Sequence, residues 1–184
     1  NPPLEETSSK IVPLPIGFEE PARQGGNQDM LEKVYNFRMS RKDKKDKILL
    51  SYHELSTNPQ RKQLHDFLSS LPFVDVQEEK LPVEKYLNLL DQYKFVICLE
   101  GSGPDVHRNY ETMLVGSIPI NVNNVVKKVF DYHSIDGIFL DSWHDLNEKT
   151  YENILKKEYN VEKNDDFLLL ENHKELVRRV INEN

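Results

Sequence analysis

Apolar positions along this chain switch between a helical spacing and short continuous runs, and the switching predicts strands separated by helices. Met30, Leu31, Val34 and Phe37 recur at three- and four-residue intervals and predict a short helix over about 28–37. A charged cluster, Arg41 to Lys47, then gives way to Ile48-Leu49-Leu50-Ser51-Tyr52, which reads as a buried strand. Leu64, Phe67, Leu68 and Leu71 share one stripe of a helix over 58–71. Phe73 to Val76 reads as a second strand, and Pro82, with its fixed φ, suits the first turn of the next helix. Phe95 to Leu99 is apolar at every position, as in a strand covered on both faces.

Further on, a helix over 106–115 precedes a fourth strand, Ser117 to Val122, in which Pro119 implies an edge position, a strand end or a bulge. A helix over 125–132, a strand from Gly137 to Leu140, and helices over 146–158 and 166–181 complete the row. Such alternation predicts a Rossmann-like α/β domain, a parallel sheet flanked by helices. Pro2, Pro3, Pro13, Pro15, Gly17, Pro21, Gly25 and Gly26 break any regular period near the start. Residues 1–40 are therefore expected as an irregular N-terminal segment ahead of a single domain, 41–184. No internal repeat or low-complexity segment is visible.

Composition narrows the class of function. A chain of 184 residues buries roughly 70% of its unfolded surface and needs no disulfide or metal staple. Its lone cysteine, Cys98, lies in an apolar strand and reads as an inert core thiol. No run approaches the roughly 20 apolar residues of a membrane helix. Neither a basic start nor an apolar signal core opens the chain, and N-x-S/T sequons are missing, which fits a cytoplasmic protein, or a Golgi-luminal one if the chain is a fragment of a longer enzyme. The balance of 24 Lys plus Arg against 31 Asp plus Glu gives 24 − 31 = −7. That charge argues against general nucleic-acid binding, which rests on neutralising phosphates. His53, His107, His133 and His144 are scattered without metal-ligand spacing, so no dedicated metal site is expected. Neither a G-x-S-x-G elbow nor a phosphate-binding P-loop pattern occurs.

Ligands of an open parallel sheet sit beyond the carboxyl ends of its strands. After the first strand, Ser56, Thr57 or Asn58 can cap the following helix, but Arg61 in its first turn opposes the helix dipole and points to an anion nearby. After the third strand comes Glu100-Gly101-Ser102-Gly103-Pro104-Asp105-Val106-His107-Arg108-Asn109-Tyr110-Glu111. Two glycines and a proline turn the backbone, and Asp105 is expected to cap a helix starting at Val106. A helix start behind a glycine loop offers free N–H groups and a positive dipole end to an anion. Arg108 adds a planar fork suited to phosphate, and Glu111, one turn on, can accept bonds from ribose or sugar hydroxyls. The same residues also read as a cap loop carrying an Arg108–Glu111 surface ion pair. After the fifth strand, Trp143 either closes a cleft or packs the last helix.

Tyr93 to Gly103, followed by His107-Arg108-Asn109-Tyr110-Glu111-Thr112-Met113-Leu114-Val115-Gly116-Ser117-Ile118-Pro119-Ile120, resembles the donor-binding domain of exostosin-like glycosyltransferases. In that family a strand ends in a glycine loop, an arginine opens a helix, a glutamate follows three residues on, and a glycine precedes an I/V-P-I/V strand. The resemblance is close over about thirty residues and looser over 45–145, and Ile11 to Gly17 is similar to the lead-in of some members. It implies one half of a GT-B enzyme that moves sugar from a nucleotide-diphosphate sugar, a UDP- or GDP-sugar, to a hydroxyl of a glycan or other acceptor. Inversion, no obligatory metal and no further cofactor are part of that implication.

Carried onto this chain, Arg108 would face the diphosphate and Glu111 the ribose or nucleotide end. Gly101, Ser102, Gly103, Asp105 and His107 would border the phosphates or the transferred sugar, with Thr57, Asn58 and Arg61 as a second set of donor contacts. GT-B enzymes use two α/β domains and commonly draw the general base from the other one. This chain has room for one, so either an acceptor domain is a missing partner or the N-terminal segment supplies some acceptor contacts, and His53, Glu54 and His107 are its own candidate bases. The run Tyr93 to Glu100 is also similar to the donor half of α-1,3-fucosyltransferases, although the T-E-K element after it is absent. A non-enzymatic nucleotide-sugar binding or interaction module is the reading from another class. A dinucleotide binder is disfavoured by the missing G-x-G-x-x-G after the first strand. On the sequence alone, Arg108→Ala is expected to abolish nucleotide binding and leave the melt nearly unchanged.

Overall fold

The computed structural model describes residues 13–19 and 26–168. Five strands form one sheet: β1 (Lys45–Leu50), β2 (Val74–Val76), β3 (Tyr93–Ile97), β4 (Ile118–Val122) and β5 (Ile138–Leu140). All neighbours are parallel, in the order β2-β1-β3-β4-β5. The helices are α1 (Gln28–Phe37), α2 (Gln60–Ser69), α3 (Val83–Leu90), α4 (His107–Leu114), α5 (Val125–His133), α6 (Glu148–Lys156) and α7 (Val161–Leu168). This is the α/β, Rossmann-like arrangement that the alternating pattern predicts.

Alternate strand residues serve opposite covers, which is why the strands are apolar throughout. Ile48, Leu50, Phe95, Ile97, Ile118 and Ile120 face one way and pack with Leu68 of α2 and Ile154 of α6. Leu49 and Val96 face the other way, against Leu87 and Leu90 of α3, Leu114 of α4 and Val34 of α1. Burying each such side chain contributes roughly 1.5–3 kcal/mol. Because Val34, Met30 and Leu31 join that second cluster, α1 is built into the domain although it falls within the expected N-terminal segment. A third cluster joins Tyr110 and Met113 of α4 to Val126 and Phe130 of α5 and Phe167 of α7.

Three expectations change. β4 is an interior strand, so Pro119 does not mark a sheet edge. The Ile120 carbonyl accepts from Cys98 N–H on the β3 side and Asn123 N–H donates to Leu140 on the β5 side, so position 119 faces β5. Pairing with β5 starts only at Ile120 opposite Ile138, and the missing N–H of Pro119 therefore falls where there is no strand to receive it. Second, α2 begins at Gln60 because Leu55–Thr57 form a separate 3₁₀ turn under the Glu54 side chain. Third, the final helix begins at Val161 rather than 166, and the expected stretch beyond Leu168 lies outside the described residues. Among the described residues no helix is long and apolar enough to cross a membrane.

Candidate functional site

The strand order reverses its direction of growth once, between β1 and β3. The chain leaves β1 for α2 on one face and leaves β3 for α4 on the other, so a crevice opens where the two loops diverge. Each helix brings one arginine from its first turn to this place. Two hollows flank it. One of about 430 Å³ is lined by Asn58, Arg61, Glu100, Asn124, Trp143 and His144, among others. The other, of about 760 Å³, is lined by Ser51, Tyr52, Pro82, Tyr86, Arg108 and Glu111, with Glu19 and Lys80 at its side.

Arg61 is buried, and its guanidinium binds main chain on three sides. Nε donates to Glu100 O at 2.7 Å, Nη1 to Glu54 O at 2.9 Å and Nη2 to Leu99 O at 3.1 Å. It stitches the loop after β1 to the loop after β3, which accounts for a cation in a first turn without a ligand. A Cβ on Gly101 would lie 3.3 Å from Arg61 Nη2, tight enough that the arginine would have to give by a few tenths of an ångström. Burial, and next the Arg108 charge, lower the Arg61 pKa, so the two guanidinium groups act on one another across the crevice.

Arg108 is half-buried and also makes three bonds. Nε donates to Tyr86 Oη at 3.0 Å, Nη2 to Tyr52 O at 2.7 Å, and Nη1 to His53 Nε2. A guanidinium carries five N–H groups, so two of them make no bond here, on a residue that lines the larger hollow. Tyr86 Oη in turn donates to Glu111 Oε2 at 2.8 Å. The surface ion pair allowed by the sequence is therefore absent: Arg108 and Glu111 are linked through a tyrosine hydroxyl. Burial raises the Glu111 pKa against the pull of the Arg108 charge, and burial likewise holds the Tyr86 hydroxyl well above its usual range.

The candidate bases are occupied. His53 Nδ1–H donates to Ser51 O at 2.6 Å, which fixes the tautomer and leaves Nε2 as the acceptor for Arg108. Burial, then the Arg108 charge, push its pKa well below the ordinary 6.5. Glu54 accepts from Ser56 Oγ and Tyr52 Oη, bonds that hold its carboxyl below the usual range, and it caps the 55–57 turn. His107 Nδ1–H donates to Gly17 O at 2.7 Å. A depressed imidazole pKa gives stability that is full above 6.5 and lost as pH falls below it toward the folded value. The urea midpoint of the wild type is therefore expected to fall below pH 6.5, and more steeply than that of His53→Gln. Parallel pH profiles of the two would contradict a neutral buried His53.

Asp105 does not cap α4. Val106 occupies the cap position without a side-chain bond, and the Asp105 carboxylate reaches Tyr110 Oη at 2.6 Å, Asn109 Nδ2 at 3.2 Å and Ile16 N at 2.9 Å. These bonds tie residues 13–19 across the start of α4, helped by His133 Nε2 donating to Pro13 O. Ser102 and Gly103 are exposed, and neither they nor Gly101, Asp105, His107 or Thr57 line either hollow. Of the sequence candidates, Arg108 and Glu111 thus share the larger hollow, while Asn58 and Arg61 line the smaller one. Trp143 is buried against the core and also lines the smaller hollow. Burial pushes the Cys98 thiol up to about 12, in keeping with an inert core position.

Sequence reading misses Tyr86 and Ser51. Tyr86 lies 22 residues before Arg108, on an amphipathic helix where a tyrosine reads as core. Among the described residues no group of three or more His, Cys, Asp or Glu is placed to hold a metal ion. No family model matches this chain, and no curated protein matches it.

Proposed function

We propose that this chain is the donor-binding domain of a glycosyltransferase, holding a nucleotide-diphosphate sugar in the larger hollow with Arg108 on the diphosphate and Glu111 on the ribose. One observation carries the reading: a cation with two N–H groups that make no bond and a carboxyl one turn along the same helix line a single hollow beside the switch point of a parallel sheet, at the carboxyl ends of β1 and β2. Its volume of about 760 Å³ suits a small ligand. As the bond between the anomeric carbon and the phosphate oxygen breaks, negative charge grows on the departing diphosphate. A guanidinium already fixed by Tyr52, His53 and Tyr86 stabilises that charge more in the transition state than in the ground state.

The acceptor hydroxyl must lose its proton to a base, and His53 and Glu54 are already engaged. That observation favours either a base from a partner domain or a module that binds without turning over. Isothermal calorimetry with UDP, GDP and their sugars separates these outcomes from failure. Binding of at least one, unchanged by EDTA, is expected; no heat with any of them removes the donor-site reading. Release of free nucleoside diphosphate from a bound sugar donor identifies an enzyme, and binding without release identifies the module.

A further inference from the structure

Ser51 directly follows β1 and is 1% exposed. Among the described residues its Oγ is the one buried side-chain oxygen or nitrogen without a hydrogen-bond partner. Burying a hydroxyl without replacing its hydrogen bonds to water is unfavourable, so native chains rarely leave one so. The contrast with Ser117 is direct: that serine, equally buried, donates to Tyr93 O at 2.6 Å. Ser51 has a use for its carbonyl, which receives His53 Nδ1–H, but none for its hydroxyl.

Ser51 lines the hollow that Arg108, Tyr86 and Glu111 also line, and by alternation along the strand its side chain lies on the face that Leu49 shares with α3 and α4, its Oγ just beneath the surface. It sits at the carboxyl end of β1, on one side of the switch point, with Arg108 reaching in from the α4 side and bonding the next residue's carbonyl, Tyr52 O. A hydroxyl donor beside a guanidinium suits an anionic oxygen. We infer that Ser51 is a ligand-binding residue whose hydroxyl donates to an oxygen of the diphosphate that Arg108 holds. This inference rests on the proposed donor site and adds a second phosphate contact to it, from a different strand end. It also explains why a serine stands where the fold alone is better served by alanine.

Two readouts on Ser51→Ala test it. In the ligand-free protein the variant removes an unsatisfied group, and its Tm is expected to rise by about 2–4 °C. By calorimetry it is expected to bind the preferred nucleoside diphosphate about tenfold more weakly than wild type, a loss typical of one hydrogen bond to a charged group, with affinity for the matching nucleoside unchanged. Equal diphosphate affinity in variant and wild type overturns the Ser51 assignment and leaves the donor site standing. Equal weakening toward nucleoside and diphosphate moves the contact off the phosphate and overturns it too. A lower ligand-free Tm means that the hydroxyl already has a partner, and this result likewise overturns the assignment. Wild type that binds no nucleoside diphosphate overturns the donor site itself and the inference with it.

Discussion

Arg108→Ala is expected to lose nucleoside diphosphate binding and about 3–5 kcal/mol of stability together, the scale found when one partner of a buried charge network is removed. The sequence alone suggests a nearly unchanged melt. Three bonds alter that expectation, because truncation leaves His53 Nε2, Tyr52 O and Tyr86 Oη without their donor. It also leaves the Glu111 carboxyl buried with only Tyr86 to satisfy it. The loss should carry a pH signature. Burial raises the folded Glu111 pKa, and Arg108 opposes the rise. Without Arg108 the folded value climbs further, and a carboxyl with a raised folded pKa costs stability progressively as pH rises above its ordinary 4.5. Urea titrations should therefore show the smallest deficit near pH 4.5 and a growing one toward neutrality. Arg108→Lys keeps the charge and drops the fork, so it should recover part of the stability and little of the binding. An unchanged neutral-pH melt for the alanine variant would contradict the bonding described.

Arg61→Ala is expected to cost about 2–4 kcal/mol, since it strips donors from three carbonyls in a buried setting. Its charge also helps to lower the pKa of buried His53, so removing it eases the acid loss that His53 causes, and the deficit should be full above pH 6.5 and shrink below it. Hydrogen exchange should localise the damage to the loops after β1 and β3, which Arg61 joins through Glu54, Leu99 and Glu100. Uniform loss of protection over the whole sheet, or a midpoint equal to wild type, would show that Arg61 does not hold those loops.

These two variants also separate what the sequence discloses from what it hides. Periodicity reveals the strands and helices because burial on both faces leaves continuous apolar runs such as Phe95 to Leu99. It misplaces ends where backbone pairing, and not side-chain character, decides them. Lys45 to Lys47 belong to β1 because Lys45 N–H bonds Gln92 O, although their side chains are charged and exposed. Arg108 and Glu111 are legible from local spacing on one helix. Their connection through Tyr86 is not, because it depends on how α3 docks beside α4. Arg61 reads as an anion ligand in sequence because carbonyls 38 and 39 residues away are invisible to a local reading. Asp105 reads as a cap for the same reason, its partner Ile16 N lying 89 residues back.

The central claim is that a nucleoside diphosphate occupies the hollow between the ends of β1 and β2 and the start of α4. An amide chemical-shift map of the labelled chain, titrated with UDP or GDP in EDTA, tests it most directly. The largest shifts are expected at 51–54, 77–86 and 107–111. Shifts concentrated at 123–124 and 141–144, around the smaller hollow, or no saturable shifts with either nucleotide, would contradict it.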